Sequence, residues 1–194
     1  NIQSKAFDKE NVHILCLIDC NDIDTIEEMK IIVKENKQVD LYMNEVVSLG
    51  YHGLAKILSS ATKYVSTDLI ALWGDRIYID TPNYDRIIMS AFKSANSFSF
   101  FQLNENNTWG YAYPLVSTNL NSKVNVFKTE APDAYIRYIA ECCNNNIFIK
   151  DVCITRKTPT QENIYSTPMS TKKSKESLFR KSIDHKKSIV CDIN

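Results

Sequence analysis

The chain has 194 residues, 44% of them hydrophobic and 10% aromatic, enough apolar material for a core and too much for wholesale disorder. Its 23 basic and 23 acidic side chains balance, so charge gives no general pull toward nucleic acid, and none is expected as a partner. No run approaches the roughly 18 apolar residues of a transmembrane segment, and no basic-then-apolar leader opens the chain. The six cysteines include no CxxC pair, and Cys16, Cys142 and Cys153 fall inside apolar patterns. That pattern reads as reduced, buried thiols in a cytoplasmic protein.

In chain order the pattern alternates. Residues 13–19 (HILCLID) form a continuous apolar run of strand length, suited to burial on both faces. A helix is expected over 24–34: Asp24 can cap it, Glu27 and Glu28 favour its first turn, and Ile26, Met29 and Val33 make an inward stripe. A short strand at 39–43 follows, then a helix over 52–64 with Leu54, Ile57, Leu58 and Ala61 on one face. The apolar run 69–73 reads as a buried strand that stops at Gly74-Asp75-Arg76. Pro82 stands at a first helical position, ahead of Ile87, Ile88, Ala91 and Phe92.

Strands are expected over 97–103 and 109–116, the second weakened by Pro114. A helix led by Asp133 carries Ile136, Ile139, Ala140 and Cys143, and a strand over 147–154 closes the regular part, residues 1–154. From 155 to 194, Ser, Thr and Lys dominate and nine basic residues face four acidic ones. This is a basic tail, expected to be partly helical around 173–187.

The β-α-β-α-β order predicts an α/β fold with a mostly parallel central sheet and helices on both faces. Such sheets bind ligands at the carboxyl ends of their strands. Here those ends carry Asp19, Asn21 and Asp22, then Asn44 and Glu45, then Asp75 and Arg76. Acids gathered on one edge call for a cation or for hydrogen-bond donors on a ligand.

The ordered set is Asp19 and Asp22; Gly50 and Gly53; Thr67-Asp68-Leu69-Ile70; Gly74-Asp75; Thr81-Pro82-Asn83-Tyr84-Asp85; Tyr113-Pro114-Leu115-Val116-Ser117; and Asp133 before Tyr135-Ile136. Over roughly 11–154 this succession resembles the GT-A fold glycosyltransferases, in particular family 2-like enzymes of phage and bacterial type. The resemblance implies a Rossmann-related sheet that binds a nucleotide-diphosphate sugar and passes the sugar to a hydroxyl acceptor. It assigns Asp19, Asn21 and Asp22 to the nucleotide, Asp75 to a Mg²⁺ or Mn²⁺ ion on the diphosphate, and Asp133 to the general base. The strand that usually opens this fold has no counterpart here and the chain begins with Asn1, so it reads as an N-terminally truncated fragment.

Two departures stand out. Arg76 follows Asp75 where a second acid is usual, and 154–157 (ITRK) lacks the usual histidine. Arg76, Arg156 and Lys157 could instead neutralise a diphosphate directly, a guanidinium doing so bidentately and taking over part of the metal's role. A second reading stays open beside the enzyme: a degenerate GT-A module that binds a nucleotide, glycan or protein partner without turnover.

Plain structural roles compete at each position. Asp22 can cap the following helix, Asp75 can make a strand-end turn, and Asp133 can complement a helix dipole. The three histidines are scattered and suggest no metal site.

Overall fold

The structure, a computed structural model, describes residues 1–44, 51–74, 77–95, 100–105, 108–109, 114–128, 135–136, 138–140 and 146–157. The helices are α1 (Ile2–Lys5), α2 (Ile23–Glu35), α3 (Tyr51–Ala61), α4 (Tyr84–Lys93) and α5 (Thr118–Val124). The strands are β1 (Ile14–Asp19), β2 (Val39–Asn44), β3 (Leu69–Ala71), β4 (Ile77–Ile79), β5 (Phe100–Glu105), β6 (Thr108–Trp109), β7 (Leu115–Ser117) and β8 (Asn146–Arg156). Residues 135–136 and 138–140 are also helical.

The α/β class is as expected, but the sheet is mixed rather than mostly parallel. β1 and β2 form a parallel pair of their own. The other strands run in the order β3-β7-β5-β8-β4, with β6 on the end of β5. Among the described residues of that sheet only β5 and β8 pair in parallel; β3/β7, β5/β7, β5/β6 and β4/β8 are antiparallel. For β5, β6 and β7, connection length is the physical reason. A parallel neighbour needs a crossover of a dozen or more residues, and the chain between β5, β6 and β7 is too short for that.

Strand alternation splits the core in two. On one face Phe101, Leu103, Ile79, Val152 and Ile154 pack with Tyr84 and Ile88 of α4. On the other, Phe100 and Val116 pack with Ile57 and Leu58 of α3, Leu120 and Val124 of α5, and Tyr135, Ile136 and Ile139. Of the stripes expected on α3 and around 136–140, Ile57, Leu58, Ala61, Ile136, Ile139 and Ala140 are inward-facing, as is Ile26 of α2, while the Leu54 side chain and Cys143 lie outside what is described.

The helix at Pro82 starts later than expected. α4 begins at Tyr84, behind Asn83 in the left-handed region (φ 55). Thr81 is held to β8, its hydroxyl accepting the Cys153 N–H at 2.8 Å, and Asn83 donates its N–H to the Lys5 carbonyl at 2.7 Å. Those ties fix an extended turn through Pro82. β8 runs to Arg156, two residues past the expected end, because it has β4 to pair with there.

Candidate functional site

β3 and β4 occupy opposite edges of the larger sheet. β3, β5 and β8 point the same way and β4 runs opposite, so the chain leaves β3 at Ala71 and enters β4 at Ile77 on the side of the sheet that holds the carboxyl ends of β5 and β8. The described part of this connection is anchored. Leu72 donates its N–H to Pro114 at 3.2 Å, and Ile77 donates to the Gly74 carbonyl at 3.2 Å. Ile77 in turn faces Arg156 across the β4/β8 ladder.

Asp75 and Arg76 themselves lie outside the described residues, as do Asp133, Glu45, Gly50 and the tail beyond Lys157. The residues that flank Asp75 and Arg76 are nonetheless informative. Gly74 is exposed, and a Cβ built on it would meet nothing within 4 Å, so packing does not demand a glycine there. Ile77 is only 6% exposed and belongs to the core, so the position two after Asp75 faces inward with an aliphatic group. That removes a D-x-D pair of carboxylates as an option.

Arg156 is exposed at the last position of β8. Its neighbour Lys157 sets its ammonium over the Tyr78 ring, 4.1 Å from the centroid, a contact worth on the order of 0.5–1 kcal/mol at an exposed site. Of the three cations expected to act together, Arg76 lies outside the described residues, and Arg156 and Lys157 are differently placed, with Lys157 engaged on β4.

The second group of predicted residues sits at the end of β1. Asp19 is half-buried there, and Asn21 is exposed. Asp22 donates its N–H to the Asp19 carbonyl at 3.0 Å, closing a turn. Its carboxylate then accepts the Thr25 N–H at 3.3 Å, which makes Asp22 the N-cap of α2 in place of Asp24. The two groups belong to different sheets.

Beneath the Gly74 connection lie two polar atoms that the sequence did not advertise. Trp73 and Tyr84 hold their rings 6.2 Å apart. The Trp73 Nε1 and the Tyr84 hydroxyl are both buried without a partner among the described residues. Burial, with the Asp85 charge adding to it, pushes the Tyr84 hydroxyl's pKa far above the ordinary phenol value. Tyr84 therefore stays a neutral donor.

Asp85 itself was read only as part of a motif, yet it holds the N-terminal segment. Its two oxygens accept the N–H groups of Phe7 and Asp8, each at 2.8 Å. The Arg86 guanidinium stacks over Phe7 at 4.4 Å, and the Asn1 side-chain oxygen accepts the Ile79 N–H at 2.7 Å. These are long-range contacts, invisible to periodicity.

Among the described residues no three His, Cys, Asp or Glu side chains gather as metal ligands. Cys16, Cys20 and Cys153 are free thiols, and burial raises the pKa of Cys16. No helix among the described residues is long and apolar enough to cross a membrane. No protein-family model matches the chain, and no curated protein matches it.

Proposed function

We propose that this chain is a GT-A-like glycosyltransferase, cytoplasmic, that binds a nucleotide-diphosphate sugar at the carboxyl ends of its strands and transfers the sugar to a hydroxyl acceptor. One observation carries the reading: β3 ends and β4 begins, on either side of Gly74, on the side of the sheet that holds the carboxyl ends of β5 and β8, and Arg156 faces Ile77 there. The carboxyl ends of its strands are where an α/β sheet takes ligands.

In this reading Asp19 and Asn21 meet the nucleotide, with Asp22 chiefly capping α2. Arg156 and Arg76 neutralise the diphosphate, whose oxygens match a guanidinium fork. Asp75 would hold a Mg²⁺ or Mn²⁺ ion. With Ile77 turned into the core, the chain offers that ion one carboxylate, and hard cations commonly complete such a set with phosphate and water oxygens. When bound, the ion supplies further charge stabilisation to the leaving diphosphate. Asp133 takes the proton of the acceptor hydroxyl as the anomeric carbon is attacked.

Two features favour the second reading, a non-catalytic module of the same kind that binds a nucleotide, glycan or protein partner. The position two after Asp75 is a core isoleucine, and Asp22 is committed to a helix cap. Titration of the full chain with UDP and GDP, with and without Mn²⁺, followed by UDP- and GDP-sugar hydrolysis, separates the cases. Binding with turnover supports the enzyme, and binding without turnover supports the module. No binding of either nucleotide rejects both. For an enzyme, Asp133→Asn should abolish transfer and leave nucleotide affinity within about twofold, since it removes only the proton acceptor.

A further inference from the structure

β1 and β3 are both end strands. β1 pairs only with β2, β3 pairs only with β7, and no ladder joins β1 to β3 among the described residues. Yet both sit over the same core. Leu17 of β1 packs with Ile70 and Leu72 against the cluster around Phe100 and Val116. Val12, just before β1, packs with Leu69 and Trp73 against the cluster around Phe101 and Leu103. The segments 12–17 and 69–73 thus each contribute apolar side chains to both clusters.

Burial is incomplete on both strands. β1 reads Ile-Leu-Cys-Leu-Ile-Asp, apolar on both faces, and every one of its residues stops at intermediate burial. Leu69, Ile70, Leu72 and Trp73 are also only half-buried. A strand without polar alternation belongs inside a sheet, flanked on both sides. Its edge is also ready to pair: Ile14 donates its N–H toward Gln38 on the β2 side at 2.8 Å. By alternation, the N–H groups of Leu15 and Leu17 point to the open side.

We propose that β1 and β3 form a slot for one extended strand, and that the chain's own segment 188–193 (Ser-Ile-Val-Cys-Asp-Ile), which lies outside the described residues, fills it. Three features select this segment. Ile189, Val190, Cys191 and Ile193 are the densest apolar, β-branched group between 158 and 194, and alternation sends Ile189, Cys191 and Ile193 to one cluster and Val190, with Asp192 near the strand's end, to the other. The slot lies four strand spacings from β8, about 19 Å, and the roughly 30 residues after Lys157 span about 30 Å as a coil. Lys186 and Lys187 precede the segment, and an antiparallel approach to β1 brings them to its acidic end, Asp19, Asp22 and Asp24.

The test compares the full chain with its Val190→Pro variant by hydrogen exchange, with oligomeric state measured alongside. A docked strand predicts that the Leu15 and Leu17 amides exchange at least about tenfold faster in Val190→Pro, with both proteins monomeric. Because a proline variant could fold poorly, alkylation of Cys191 is measured in the unaltered chain, and docking should slow it at least about tenfold relative to the same chain in urea. Equal amide exchange in both proteins, or Cys191 alkylation as fast as in urea, overturns the proposal. Protection that appears only where the chain dimerises also overturns it, and gives the slot to a second copy.

Discussion

At the scale of single residues, Asp85 and Gly74 make opposite predictions. Asp85 spends both carboxylate oxygens on backbone N–H groups of Phe7 and Asp8. Partial burial works against its ionisation, but those donors, with the N–H groups of Arg86 and Asp85, outweigh it and hold the pKa below the usual aspartate value. A depressed carboxylate stabilises the fold above its unfolded pKa, near 3.9, and loses that contribution as pH falls through the folded value. Asp85→Asn keeps one acceptor and turns an amide N–H₂ toward the other donor. It should cost about 1 kcal/mol at neutral pH. In thermal unfolding, the gap between wild type and variant should close as pH drops below about 4. A gap independent of pH would remove the ionised latch. Gly74 has no packing neighbour for a Cβ, so Gly74→Ala should leave stability unchanged or slightly raised. A bulky Gly74→Leu should weaken nucleotide binding roughly tenfold, about 1.4 kcal/mol, if the diphosphate approaches this backbone. Trp73 next door makes intrinsic fluorescence a convenient readout.

Elements show where residue patterns suffice and where they fail. α3 was legible because Ile57, Leu58 and Ala61 recur at helical spacing, and all three are buried. α5 was not. Its sequence Thr-Asn-Leu-Asn-Ser-Lys-Val has two apolar positions in seven and owes its place to Ser117, whose hydroxyl accepts the Leu120 N–H, and to buried Asn121, which accepts the Val126 N–H. Polar groups satisfied in the interior look the same in sequence as polar groups in solvent. The same ambiguity affected the β1 end, where Asp22 reads equally as a ligand contact or a cap. Asp22→Ala decides how much of it is cap: the expected loss is about 1 kcal/mol of stability. Nucleotide affinity should change less than threefold if Asp19 and Asn21 make the contacts. A tenfold drop in affinity with unchanged unfolding would reverse that assignment.

For the molecule as a whole, strand direction is the level the apolar pattern could not reach. A continuous apolar run marks a buried strand and is silent about which way its neighbours run; for β5, β6 and β7 connection length carries that information, and the short links there forbade parallel pairing. The resulting topology makes β5 the hub, bonded to β6, β7 and β8 and placed between both cores. Phe100 (1% exposed) fills one core and Phe101 (0%) the other, from adjacent positions on one strand. Truncating either to alanine leaves a cavity that the paired strands cannot collapse around, at a cost of about 3–5 kcal/mol each. Because β5 is shared, the two losses should act on one event. Calorimetry of Phe100→Ala and Phe101→Ala should show a single unfolding transition in each, lowered by similar amounts. If the cores were independent, each variant would split the endotherm and shift only one component. The β1–β2 pair, outside this ladder, should exchange its amides before β5 does, at free energies below the global value.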